Sequence, residues 1–362
     1  MRPLGILLTA ISMVFATAGC GRTVPPAESG EDAEYLKVED AGAGSWRIVS
    51  ISPFDGSSDT LMVGKPLERL IVMSTSHVGF LEAIGATGAI VGVSGRDYVY
   101  TDLGPDVPDV GYDAAPDYER IVALRPDLIL AYSVSAAKSP FISRLESLGI
   151  RTFIVNEHLE KHPLARASYV RLFGALTGRM ELADTVLGKV TAAYLSLADS
   201  VRTAIQGTSL RKIILNIPYN DQWFVPSRDS YLVTMIADAG GLVLGTMPGK
   251  AASSTMSVEK AYSLAKEADC WLNVGWCRTM DQLLGANPIF PEMVGNIGSN
   301  AAKAGFGDGP VVWNDNARLN PKGGNDIWES GVVRPDIVLR DLVGILHPSP
   351  SSPAPVYYRP LK

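Results

Sequence analysis

A chain of 362 residues is long enough for a leader and two domains of ordinary size. Its net charge of −6 excludes the basic face that a nucleic-acid backbone requires. Past the N-terminus no run reaches the roughly eighteen uninterrupted apolar residues of a membrane-spanning helix, so the mature chain is expected to be soluble apart from any lipid.

Residues 1–19 have the order of a signal peptide: Arg2, the uncharged and mostly apolar stretch from Leu4 to Ala16, then Thr17, Ala18 and Gly19. Cys20 follows at once, and Ala18-Gly19-Cys20 resembles a lipobox, in which cleavage leaves the cysteine as a lipid-bearing N-terminus. Thr17 stands where that motif usually has leucine. From Cys20 to about residue 45 the composition is dominated by Pro, Gly, Ser, Glu and Asp, which predicts a flexible tether.

Residues 46–160 predict a first α/β lobe. The apolar runs 69–74, 89–94, 126–132 and 152–155 read as strands, with helical patterns at 77–86, 116–124 and 141–150 between them. Such alternation implies a mainly parallel sheet covered on both faces. Within 161–207, Val186, Val190, Tyr194, Leu197, Val201 and Ile205 recur at helical spacing, predicting a stiff helix of roughly 40 Å at 1.5 Å per residue. Residues 208–347 repeat the α/β alternation, with strands at 212–218, 269–275 and 311–314 and a closing helix at 336–346 behind Pro335. Residues 348–362 read as a tail. Cys270 and Cys277 read as buried thiols, with a disulfide as the lesser alternative.

The order of these pieces resembles the periplasmic binding proteins of ABC importers for ferric siderophores, haem and cobalamin. The likeness rests on VGYDAAPDYERIVALRPDLILAY (110–132), LFGALTGRMELAD (172–184) and WFVPSRDSYLVTMIADAGG (223–241). The run 320–348 is similar to members associated with iron-complex uptake in Bacteroidetes-type bacteria. The resemblance implies two Rossmann-like lobes joined by a long rigid interlobe helix, the class III arrangement. It implies a small-molecule metal chelate as ligand, an inner-membrane permease dimer as partner, and a periplasmic, lipid-anchored location. It further implies that Glu119 and Glu259, one on each lobe, meet arginines of the two permease subunits. Read without the family, both are solvated carboxylates on amphipathic helices.

Ligand contacts are inferred from strand ends, because doubly wound sheets bind at the carboxyl edge of their strands. On the first lobe this selects Ser76, His77, Arg96, Tyr98, Tyr112, Asp113 and Tyr132; on the second, Trp223, Trp276, Arg318 and Asn320. Aromatic rings beside arginines suit a large, flat, anionic ligand. His77 also admits a role as an axial haem ligand with Tyr98 or Tyr112. No catalytic group, metal site or resident cofactor is expected: His158 and His162 read as a solvated helix start, and 245–253 and 305–310 lack the spacing of phosphate-binding loops. The rival readings are a lipoprotein hydrolase on a similar fold, with Asp97, Asp113 or His77 as acid-base groups, and a capture lipoprotein that works without a permease.

Overall fold

The computed structural model describes residues 32–249, 253–306 and 309–362. The signal peptide expected at residues 1–19 and the lipidation expected at Cys20 lie outside them. The first lobe is built on a four-stranded parallel sheet in the order Ile90–Val93, Leu70–Val72, Leu128–Ala131, Thr152–Ile154. Leu70, Ile71 and Val72 are fully buried, as expected of a strand covered on both faces. Helices Thr75–Ala83, Tyr118–Leu124 and Pro140–Ser147 connect the strands.

Two segments differ from their sequence reading. The stretch read as tether up to residue 45 contains the strand Leu36–Gly42, paired antiparallel with Ser45–Ile51, which pairs in turn with Ser58–Val63. Alternating Leu36, Ile48, Leu61 and Val63 give this sheet an apolar face that joins the first-lobe core, so the composition of the whole stretch misled. Ser50 Oγ donates to Ile154 O at 2.7 Å, seating the sheet on the lobe's edge. The segment read as a C-terminal tail folds back as well. Tyr357 and Tyr358 are buried in the second-lobe core, and Arg359–Pro360 pairs antiparallel with Val312–Asn314.

The second lobe carries the order Gly241–Val243, Arg211–Leu215, Cys270–Leu272, Val312–Asn314, Arg359–Pro360, parallel except for the last strand. Cys270 and Cys277 are both free and buried. Between the lobes runs the helix Met180–Ala204, 25 residues long, whose face of Ala183, Val190, Tyr194, Ala198 and Val201 is buried. The C-terminal segment forms a second tie. Ile327 lies in the second-lobe core, whereas Val332 and Val333 lie in the first. Gly79 is required at this crossing, because a Cβ there would sit 2.4 Å from Glu329 O. The Glu329 carboxylate accepts from the backbone N–H of Tyr100 and, at 3.0 Å, from that of Thr101.

Candidate functional site

Strand ends of both lobes open on one cleft of about 880 Å³. Thr75, Tyr98 and His158 line it from the first lobe; Asn216, Tyr231, Asn273, Trp276, Arg278 and Asp315 line it from the second. Asn216, Asn273 and Asp315 each come directly after a strand, at Leu215, Leu272 and Asn314. Asn216 and Asn273 have φ of +67° and +60°, a left-handed conformation that asparagine tolerates better than most residues. The rings of Tyr98 and Trp276 are 54% and 63% exposed, one from each lobe, and offer flat apolar area to a ligand. Burial pushes the Asp315 carboxyl up to about 6.

A smaller hollow of about 300 Å³ adjoins the cleft, sharing Thr75, His158 and Trp328 with it. Its wall holds a buried polar cluster. Ser76 Oγ donates to Glu157 Oε1 at 2.6 Å, and Arg166 lies 3.7 Å from the same oxygen. The Arg166 guanidinium also stacks over the ring of Tyr231, 4.5 Å from its centroid, and so links the hollow to the second lobe. Burial works to raise the Glu157 carboxyl, but His158, His77 and Arg166 together hold it well below the usual carboxylate range. Tyr132 stands edge-on to His158 at 6.1 Å and borders a third hollow of about 630 Å³, which also takes in Asp113 and the inner edge of the N-terminal sheet.

The arrangement has counterparts among known proteins. The profile of the periplasmic binding protein family matches residues 70–293, more than half of the chain. The chain belongs to that family. Among curated relatives of this periplasmic binding protein, an uncharacterized lipoprotein of Methanocaldococcus jannaschii is 26% identical over 306 residues, 79% of this chain and 67% of that one. An uncharacterized ABC transporter substrate-binding lipoprotein of Bacillus subtilis is 21% identical over 232 residues, 64% of this chain and 68% of that one. Of solved structures, a periplasmic heme binding protein from Pseudomonas aeruginosa aligns with a TM-score of 0.61 at 18% identity, covering 82% of this chain and 98% of its own. A periplasmic vitamin B12 binding protein of Vibrio cholerae aligns with 0.54 at 13% identity, covering 78% and 97%. The class III architecture inferred from the sequence is therefore the fold of this binding protein.

Of the residues picked from the sequence of this binding protein, Tyr98 and Trp276 reach the cleft, while Ser76 and Tyr132 reach the adjoining hollow. Asp113 borders the third hollow. Tyr112 is exposed and packs over Gly95, outside all three. Four others are structural. Trp223 is fully buried, with Nε1 donating to Leu215 O at 2.7 Å and its ring stacked on Trp271. Arg96 donates to Gly104 O at 2.6 Å, and Arg318 is paired with Asp326 at 2.5 Å. Asn320 donates to Asp97 O at 2.9 Å and Val99 O at 2.7 Å, clamping the first-lobe loop to the C-terminal segment.

His77 is likewise in the core instead of at the cleft: it is fully buried, 5.7 Å from the ring of Phe173 and 4.0 Å from Glu157 Oε2. It points inward from the first turn of its helix, so counting residues past the strand could not place it. Burial drives its pKa down to about 4. The neutral form is thus favoured on folding. Its contribution to stability is complete above about pH 6.5 and is lost as pH falls from there toward 4, amounting to about 3 kcal/mol. In His77→Gln the loss of stability between pH 7 and 4.5, followed by urea unfolding, should shrink markedly. An unchanged pH profile would show that His77 does not control it.

Sequence reasoning missed Asn216, Tyr231, Arg278, Asp315 and Trp328 in the cleft. Asn216 and Asp315 satisfy the strand-end rule that was applied elsewhere and could have been found by it. Tyr231 and Trp328 carry no such signal, because each reaches the cleft from outside the sheet edge. Glu119 and Glu259 are both exposed, and neither lines any of the three hollows described above. They occupy equivalent positions, each the second residue after a capped helix start: Asp117 accepts from Arg120 N at 2.9 Å, and Ser257 from Lys260 N at 3.3 Å. Hydrogen bonding to Ser257 holds the Glu259 carboxyl below its usual range.

Proposed function

We propose that this protein is the ligand-capturing component of an ABC importer. It holds a metal chelate (a ferric siderophore, haem or a corrinoid) in the interlobe cleft and passes it to an inner-membrane permease dimer. The observation that carries this reading is a cleft of about 880 Å³ walled by both lobes, with an exposed aromatic ring from each. A volume of that size fits a compact organic ligand. Two solved structures of similar fold, a heme binding protein and a vitamin B12 binding protein, and a relative that is an ABC transporter substrate-binding lipoprotein support the same class of cargo and partner. The role is binding, without catalysis. Lipid attached at Cys20 holds the protein at the periplasmic face of a membrane, and Glu119 and Glu259 dock it on the permease.

Calorimetric titration with haemin, a ferric siderophore and a corrinoid tests the reading. At least one chelate should bind with micromolar or tighter affinity, roughly −8 kcal/mol. Trp276→Ala and Tyr98→Ala should each weaken that binding by about 2 kcal/mol or more, with little change in the thermal midpoint because both rings are exposed. Tight binding of bare zinc, with no chelate bound, would reverse the assignment.

A further inference from the structure

Tyr98 reaches the cleft from the short turn Arg96–Tyr98, and that turn is held from two sides. On the first lobe the Asp109 carboxylate accepts from Gly95 N at 3.2 Å and from Arg96 N at 2.9 Å, which anchors the start of the turn. From Asp97 onward the partners come from the segment that leaves the second lobe after the strand Val312–Asn314. Asn320 Nδ2 donates one hydrogen to Asp97 O at 2.9 Å and the other to Val99 O at 2.7 Å. Its Oδ1 accepts from Lys322 N at 2.9 Å and from Gly324 N at 2.8 Å. Both ends of the amide are thus fully used, and their partners determine its orientation.

Asp97 O belongs to the peptide plane before Tyr98, and Tyr98 O to the plane after it. Asn320 fixes the first plane. Gly324 bears on the second, since a Cβ at that position would lie 2.3 Å from Tyr98 O. The direction of the Tyr98 Cα–Cβ bond, and so the place where the ring enters the cleft, follows from these two planes. Asn320 is half-buried behind the wall, whereas its neighbours Leu319, Gly323 and Gly324 line the cleft themselves. Its amide, committed to four backbone groups, can act on a ligand only through the residues it holds.

We propose that Asn320 is a positioning residue for ligand capture: from the second lobe it sets where the first lobe's aromatic wall, the Tyr98 ring, stands in the cleft. The proposal rests on the reading of the cleft as a chelate site. It gives Asn320, first picked as a ligand contact, a role in affinity without contact.

Asn320→Asp tests this at constant shape. The carboxylate still accepts from Lys322 N and Gly324 N, but it sets an oxygen against Asp97 O and Val99 O and so releases the turn. Glu329 still holds Tyr100 and Thr101, which confines the change to the residues around Tyr98. Without ligand, hydrogen exchange of the Tyr98 and Val99 amides, bonded within the turn to Gly95 O and Arg96 O, should quicken at least about tenfold. The full chain is then titrated with haemin, ferrioxamine and cyanocobalamin. Affinity for a chelate that the wild type binds should fall at least about tenfold in Asn320→Asp, but less than about threefold when the exchange is made in Tyr98→Ala. Made in Trp276→Ala, on the opposite wall, it should keep its full effect. Gly324→Ala pushes Tyr98 O from the same side and should show the same dependence on Tyr98, which keeps the test open if the aspartate protein does not fold. Unchanged exchange or unchanged affinity in Asn320→Asp, or an equal loss with and without the Tyr98 ring, would overturn the positioning role and leave the chelate reading intact. Binding of none of the three chelates by the wild type would remove both.

Discussion

Exchanging Glu119 and Glu259 together for arginine is expected to stop uptake through the partner permease while ligand affinity stays within about twofold of wild type. Both carboxylates are exposed on the first turn of capped helices, one on each lobe, and neither touches the cleft. The equivalent positions of Glu119 and Glu259 on the two lobes suit a partner built from two similar subunits, each offering one cation. Alanine at both sites removes an attraction, whereas arginine sets like charges against each other, so the arginine pair should be the more severe. Added salt should weaken wild-type docking more than that of the double alanine variant, because rim charges are screened within about 8 Å at physiological ionic strength. Proteoliposomes allow ligand binding, complex formation and uptake to be measured on the same samples. Normal uptake by the double arginine variant would remove the docking role from both residues, and a loss of ligand affinity would place them in the binding site instead.

Trp223→Ala should cost about 3–5 kcal/mol of folding stability and leave the ligand affinity of whatever protein folds close to wild type. The indole is fully buried among Trp271, at 5.9 Å, and Phe290, at 6.2 Å, and its truncation opens a cavity in the second-lobe core. Its Nε1 also satisfies Leu215 O, the last carbonyl of a central strand. Trp223→Phe recovers most of the volume but strands that carbonyl, so it should fall between wild type and alanine, at about 1–3 kcal/mol. Guanidinium unfolding measures the stability, and titration with the ligand measures the affinity. A large loss of affinity with an unmoved unfolding midpoint would return Trp223 to the binding site.

The repeat of strand and helix, the lobe cores and the interlobe helix were legible in the sequence because each is set by local periodicity. Val190, Tyr194 and Val201, chosen from their spacing, are buried on one face of the helix Met180–Ala204. Leu70–Val72 and Leu128–Ala131 were continuous apolar runs, and they are buried strands. The terminal segments were not legible. Leu36–Gly42 is polar on average and becomes a strand only through alternate residues pressed on a neighbouring sheet, while Arg359–Pro360 is held by the anchoring of Tyr357 and Tyr358.

For the candidate site, the order of strands and helices determined which edge of each sheet is the carboxyl edge, and those edges open on the cleft. Side-chain direction at that edge was decided by tertiary structure alone. Tyr98 and Trp223 both sit close to strand ends in the sequence, yet one ring is exposed to the cleft and the other is fully buried. Arg318 and Asp326 are eight residues apart, and only the folding of their loop brings them to 2.5 Å. A guanidinium looks available for a ligand until the chain supplies its partner, and although Asp326, Gly104 and Glu157 lie only eight or nine residues from Arg318, Arg96 and Arg166, the conformation of the intervening loop decides whether they meet.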